Sequence, residues 1–227
     1  MDERGELPIM PLHSVLFPGA PASLYVHEER YREMLARCLA GDGLFGVALL
    51  KSGQEVGGAG VPHEIGTLAK IVHVTKLPDD SSLVLARGRT RFRINNIMRL
   101  SPVVEADVEV LGDNAELLPS DEALVAEARQ RLGELLGMIM RMLGEEEVEP
   151  PIPEDPTSLS YAVAVHVQAP LEVQQRLLEA GSVAARLEMG LPMLRRELSY
   201  YRVMQAAKEQ RDRLGLDDEE EGVFSRN

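Results

Sequence analysis

The chain has 227 residues, of which 44% are hydrophobic and 27% charged, an ordinary globular balance that excludes a disordered or collagen-like polypeptide. Its formal net charge is −13, from 37 acidic against 24 basic residues, which disfavours nucleic acid as the main partner because a phosphate backbone demands a basic footprint. One cysteine, Cys38, excludes an intramolecular disulfide, and no apolar run reaches the roughly 18 residues of a membrane span.

The first half reads as β-structure. PIMPLH (8–13), SLYVH (23–27), LFGVALLK (44–51), IGTLAKIVHVTK (65–76), LVLARGRTRFRINNIMRL (83–100) and VVEADVEVL (103–111) are β-branched or alternating, with Gly, Pro, Asn and Asp between them. One helix interrupts them, from about Glu28 to Ala40, with Tyr31, Met34, Leu35 and Leu39 on its apolar face and Gly41 as its stop.

The period then changes. Ser120 is placed to cap a helix running to Leu143, with the stripe Leu124, Ala128, Leu132, Leu135, Ile139 and Met142. An acidic, proline-rich stretch (145–156) follows, and Asp155-Pro156 can open another helix. The body of that segment, SYAVAVHVQ (160–168), also alternates like a strand; helix is the reading adopted. Pro170 opens a short helix ended by Gly181. Ser182 caps a long one to about Leu214, whose Leu187, Leu191, Leu194, Leu198 and Tyr201 form a packing seam, with Pro192 inside it. These elements divide the chain into a β-rich unit (1–114), a helical unit (115–214) and an acidic tail (215–227) expected to be disordered. The charge divides too: residues 1–110 carry −2 and residues 111–227 carry −11.

Catalytic signatures are absent: no P-loop, no nucleophile elbow. His27-Glu28 begins a zinc-protease pattern, but Tyr31 stands where the second histidine must be, and the other histidines are scattered singly, so neither metal nor cofactor is expected. Gly41-x-Gly43-x-x-Gly46 ends a helix and enters a strand, the reverse of a dinucleotide fingerprint. Cys38 reads as a buried, inert thiol. The charged N-terminus lacks an apolar leader, and a soluble, cytoplasmic protein is expected.

Two candidate binding features remain. Arg87, Arg89, Arg91 and Arg93 recur at every second residue, so one strand would present all four on one face, unless Gly88 introduces a bulge that divides them. Such a row can clamp carboxylates or phosphates. Met138, Met142, Met189 and Met193 concentrate in the helical half, where methionine suits either core filling or an adaptable groove.

The order and spacing of several blocks resemble the N-terminal substrate-binding domain of Lon proteases. They are LPIMPLHSVLFPGAPASLYVHEERYREML, with Pro8-x-x-Pro11-Leu12, Phe17-Pro18-Gly19 and Glu29-Arg30-Tyr31; Ile65-Gly66-Thr67-Leu68-Ala69-Lys70-Ile71 followed by Pro78-Asp79-Asp80; Gly88-Arg89-x-Arg91-Phe92-Arg93-Ile94; and Gln174-Gln175-x-Leu177-Leu178-Glu179, Arg186-Leu187 and Leu194-x-x-Glu197-Leu198. The resemblance implies an α+β fold: a PUA-like mixed β-barrel with one main helix, then an α-helical bundle. It implies a stand-alone, non-enzymatic module without the ATPase and Ser-Lys protease modules, binding unfolded or tagged polypeptides or a protein partner, which could include a separate ATP-dependent protease. An RNA-binding module using the Arg87–Arg93 face is the alternative; the acidic balance and the absence of Trp count against it. For polypeptides, an apolar groove between the two halves, fed by the methionines, is the favoured surface.

Overall fold

The computed structural model describes residues 4–54, 60–114, 117–144 and 150–213; the tail expected at 215–227 lies outside them. Seven strands come first: β1 (Arg4–Leu12), β2 (Pro21–Val26), β3 (Leu44–Gly53), β4 (Gly60–Pro62), β5 (Ile65–Lys76), β6 (Ser82–Arg99) and β7 (Val104–Leu111). Helix α1 (Glu29–Ala40) lies between β2 and β3, and α2 (Glu122–Met142), α3 (Pro156–His166), α4 (Leu171–Glu179) and α5 (Val183–Arg213) follow the last strand. The sheet is mixed, in the order β1-β7-β6-β5-β3-β4 with β2 on β6, and β1 also pairs in parallel with β3. The 18-residue β6 is its spine: β5 runs along it, β2 pairs its first half and β7 its second.

Apolar clusters lie on both faces of this sheet. Phe45, Val47, Ala69, Val84 and Ala86 pack under α1, whereas Ile9, Ala48, Leu68, Phe92, Val104 and Ala106 form a second cluster. Alternation explains the division, because neighbours such as Leu68 and Ala69 must point to opposite faces. On α1 the buried set is Tyr31, Met34, Leu35 and Cys38. Leu39, expected in that stripe, is exposed, because the place seven residues after Tyr31 falls to Cys38. Burial pushes the Cys38 thiol above its ordinary pKa against the lowering effect of Arg37, which lowers the thiolate fraction and slows its reactions.

The helices bury Leu132, Leu135, Leu159, Leu177, Leu187, Leu191, Leu194 and Leu198 in one cluster that also takes Phe17 from the sheet side. Ser120 does not cap α2; the chain enters through a 3₁₀ turn (Pro119–Asp121), where the Asp121 carboxylate accepts the Leu118 N–H at 2.9 Å. Ser182 caps α5 as expected, accepting the Ala185 N–H at 3.2 Å. Among the described residues no helix is long and apolar enough to cross a membrane.

The ambiguous segment after Asp155 is helical. Asp155 Oδ1 accepts the Ser158 N–H at 2.9 Å, and Pro156 occupies the first turn, where a missing N–H costs nothing. Hydrogen bonding from Ser158 holds the Asp155 carboxyl below its ordinary pKa despite partial burial. A depressed folded-state pKa stabilises the fold above the ordinary carboxylate range, and that contribution is lost as pH falls through the folded value. Asp155→Ala is therefore expected to cost about 1 kcal/mol at neutral pH. Urea melts of both proteins should show that difference shrinking on acidification; a pH-independent difference would contradict the cap.

Candidate functional site

The arginine row does not share one face. Register between β5 and β6 pairs Ala69 with Gly88 and Leu68 with Thr90, leaving Arg89 as an extra residue. That bulge exchanges the faces: Val84 and Ala86 lie in the cluster under α1, but Phe92, at the same parity, lies in the opposite one. Arg87, before the bulge, and Arg89, within it, are exposed. Beyond it Arg93 is exposed, but Arg91 is 2% exposed and enters the junction between sheet and helices. The expected ladder of four is corrected to three exposed arginines divided by a bulge, with the fourth a structural group.

Arg91 is held there by the ends of the helical unit. Its Nη1 donates to the carbonyls of Leu178 at 2.9 Å and Ala180 at 2.8 Å, and its Nη2 lies 2.9 Å from Asp113 Oδ1. Asp113 also accepts Tyr161 O–H at 2.7 Å and Arg186 Nη2 at 2.9 Å. Arg186 is fully buried, donates to Ser160 Oγ at 2.8 Å and to the Leu177 carbonyl at 3.1 Å, and lies 3.8 Å from the Tyr161 ring centroid. Burial raises the Tyr161 pKa, so the phenol keeps its proton and donates a hydrogen bond to Asp113. Gln175 adds a contact from α4, donating to the Ile65 carbonyl at 2.9 Å. Sequence reading gave no site role to Asp113, Tyr161, Gln175 or Arg186, although Gln175 and Arg186 stand in the family-like blocks. One signal existed: Arg186 falls inside the apolar face of α5, three residues after Val183 and four before Gly190, where a charge must find a buried partner.

The four candidate methionines sit elsewhere. Met138, Met189 and Met193 are partly buried against the helical core, and Met142 is exposed at the end of α2. At the junction, Phe17 and Ile65 pack with the helical core and the Arg91–Asp113–Arg186 network joins sheet to helices; none of the four methionines belongs to that network.

One uncovered apolar patch lies on the sheet. Tyr25 of β2 pairs with Leu83 of β6, which pairs with Thr75 of β5; the next row is Ser23, Leu85 and His73. These rows point away from α1, since the alternate residues Val84, Ala86 and Val74 face its cluster. Tyr25, Leu83, Leu85 and the bulge residue Val72 are 41–59% exposed, and Arg87 begins the next row. Exposed strand positions are usually polar, so four large apolar side chains at this place are an exception that calls for an occupant. No group of three or more His, Cys, Asp or Glu residues suited to a metal occurs among the described residues.

Residues 6–196 match the family model of the ATP-dependent protease La (LON) substrate-binding domain. The chain belongs to that family. It is 28% identical over 205 residues to "Lon protease 2" of Myxococcus xanthus, covering 84% of this chain and 24% of that protein. With "Lon protease 2" of Thermus thermophilus it shares 34% over 154 residues, covering 66% of this chain and 19% of the relative. The chain therefore spans about a quarter or less of the length of these curated relatives. Among solved structures, the Lon N-terminal domain protein from Xanthomonas campestris superposes with a TM-score of 0.62 at 27% identity, covering 83% of this chain and 98% of that one. The N-terminal domain of Mycobacterium avium complex Lon protease gives 0.63 at 18% identity, covering 84% and 98%, a likeness of fold.

Proposed function

We propose that this chain is a non-enzymatic recognition module that binds unfolded or tagged polypeptide on the outward face of β2, β6 and β5. The observation that carries this reading is the cross-strand patch Tyr25, Val72, Leu83 and Leu85, left uncovered in a member of a substrate-binding family. Burying apolar surface yields about 25 cal/mol per Å² without demanding a particular sequence, which suits clients that share only exposed apolar residues. Arg87 and Arg89 flank the patch and would favour acidic segments, and Met142 is a further exposed candidate on the helical side. The module would hand its clients to an ATP-dependent protease in the cytoplasm. We also propose a PUA-like barrel and a helical bundle as its two subdomains (1–114 and 115–214). The β1–β3 pairing, which links the ends of the β1-β7-β6-β5-β3 path, and the change of period near residue 115 support this division.

The test is fluorescence anisotropy with labelled, cysteine-free β-casein. Leu83→Asp with Leu85→Asp is expected to weaken binding at least about tenfold, or roughly 1.4 kcal/mol, with the circular dichroism spectrum unchanged. Unchanged affinity would overturn the patch. Binding that falls steeply with salt and is abolished by Arg87→Glu with Arg89→Glu would move the site to the arginines. The same preparation is expected neither to hydrolyse ATP nor to cleave casein.

A further inference from the structure

The sheet does not close evenly where its ends meet. Parallel pairing of β1 with β3 begins at Ile9 opposite Gly46, while Leu44 and Phe45 pair with β5 alone. On its other edge β1 stays paired with β7 from Arg4 to Ile9. Gly5, Glu6 and Leu7 thus form a strand edge that is paired with no strand on that side among the described residues. Unpaired strand edges present N–H and C=O groups that another chain can satisfy.

A cavity of about 490 Å³ opens at this place. Leu7, Leu44, Leu68, Phe92 and Val108, all of the second sheet cluster, give it an apolar floor, and Cys38 at the end of α1 forms part of its wall. Its size falls within the roughly 300–1,000 Å³ of ligand pockets, ample for one large apolar side chain. Three carboxylates stand around it, Glu6, Asp42 and Glu105, against one guanidinium, Arg37, which is already 3.0 Å from Glu105. Burial acts to raise the Glu105 pKa, but hydrogen bonds from Arg99 and Arg37 outweigh it and keep the group ionised.

We infer that this cleft takes an extended polypeptide segment, which adds as a short strand along Gly5–Leu7, inserts one apolar side chain into the cavity and sets basic neighbours against Glu6 and Asp42. Main-chain hydrogen bonds to the edge supply affinity that is indifferent to sequence, and the cavity supplies the preference for an apolar residue. The inference rests on the polypeptide-recognition reading and adds to it a second contact, distinct from the patch on β2, β6 and β5.

Cys38 provides the readout, because it is the chain's single cysteine and lines the cavity. The probe is a blocked peptide with an alternating valine–leucine centre and lysine flanks. A control peptide carries N-methyl groups on alternate residues, which removes the strand-forming N–H donors. At roughly ten times its Kd the probe is expected to slow maleimide modification of Cys38 about tenfold, since reaction then waits on the free fraction. The N-methylated control should not protect. Gly5→Trp should abolish binding with the fold intact: a Cβ at Gly5 meets nothing within 4 Å, and the register with Val108 directs it to the cavity side. Equal protection by the N-methylated peptide, or peptide binding that leaves Cys38 reactivity and the Gly5→Trp variant unaffected, would overturn strand addition. β-casein binding lost in Leu83→Asp/Leu85→Asp would meanwhile leave the recognition reading standing. Failure of wild-type protein to bind both β-casein and the peptide would overturn both.

Discussion

Replacing Asp113 by alanine is expected to lower the unfolding free energy by about 3–5 kcal/mol, the usual cost of removing one member of a buried ion network. Asp113 is the single carboxylate facing two guanidiniums, 2.9 Å from Arg91 and 2.9 Å from Arg186, and it also accepts the Tyr161 hydroxyl. Its loss leaves two buried cations with only carbonyl and hydroxyl oxygens around them. The damage comes from the uncompensated charge more than from the lost attraction, because desolvating either ion is expensive. Removing the charges together should then hurt less: Asp113→Leu combined with Arg91→Met and Arg186→Met is expected to be more stable than Asp113→Ala alone. Urea denaturation of the three proteins measures this directly. A single substitution that costs under about 1 kcal/mol, the range of an exposed pair, would show that the network does not hold sheet and helices together.

Gly88→Ala should come next in severity. Gly88 exchanges backbone hydrogen bonds with the preceding loop, donating to the Ala20 carbonyl and accepting from the Gly19 N–H, each at 2.9 Å. This close approach leaves no room for a side chain: an added Cβ would overlap the carbonyl oxygen of Phe17 and crowd Thr67. The obstacle is backbone, which cannot swing away as a side-chain tip can, and Phe17 is itself part of the helical core cluster. Overpacking of this kind costs about 1–3 kcal/mol, and the upper end applies here. For a chain of this size that corresponds to a fall in Tm of roughly 6–12 °C. Gly112→Ala is the control, since a Cβ there meets nothing within 4 Å. Equal melting temperatures for the two variants would contradict the account.

Much of the architecture was legible because it rests on local rules. Six of the seven strands and all five helices announce themselves by period and punctuation, and β4 escaped because three residues, Gly60–Pro62, carry no period. Asp155-Pro156 outweighed the strand-like alternation of Val163, Val165 and Val167, since a cap followed by proline is a specific helix start. The bulge within the arginine row was foreseeable from Gly88, but its consequence for Arg91 was not. Which face becomes buried depends on helices 87–89 residues away in the chain, and alternation carries no such information. Asp113 was invisible for a related reason: a lone acid two residues after β7 acquires its role only when Tyr161 and Arg186 arrive. The apolar patch was present in the sequence as Tyr25, Leu83 and Leu85, but the strand pattern alone does not tell which face of β6 is left uncovered.

The path of β6 also sets an order of assembly. Its partners come from both directions along the chain, β2 from before it and β7 from after it, and one edge of β1 waits for the same last strand while the other pairs with the earlier β3. On an emerging polypeptide the circuit cannot close until Leu111 has been made, while helix α1 can form from neighbours alone. Asp113 follows two residues later, and the carbonyls that receive Arg91 some sixty-five to sixty-seven residues after that. Loop-closure entropy is therefore charged mostly to the sheet, in contacts of long sequence separation, and the helices inherit a finished platform on which to dock.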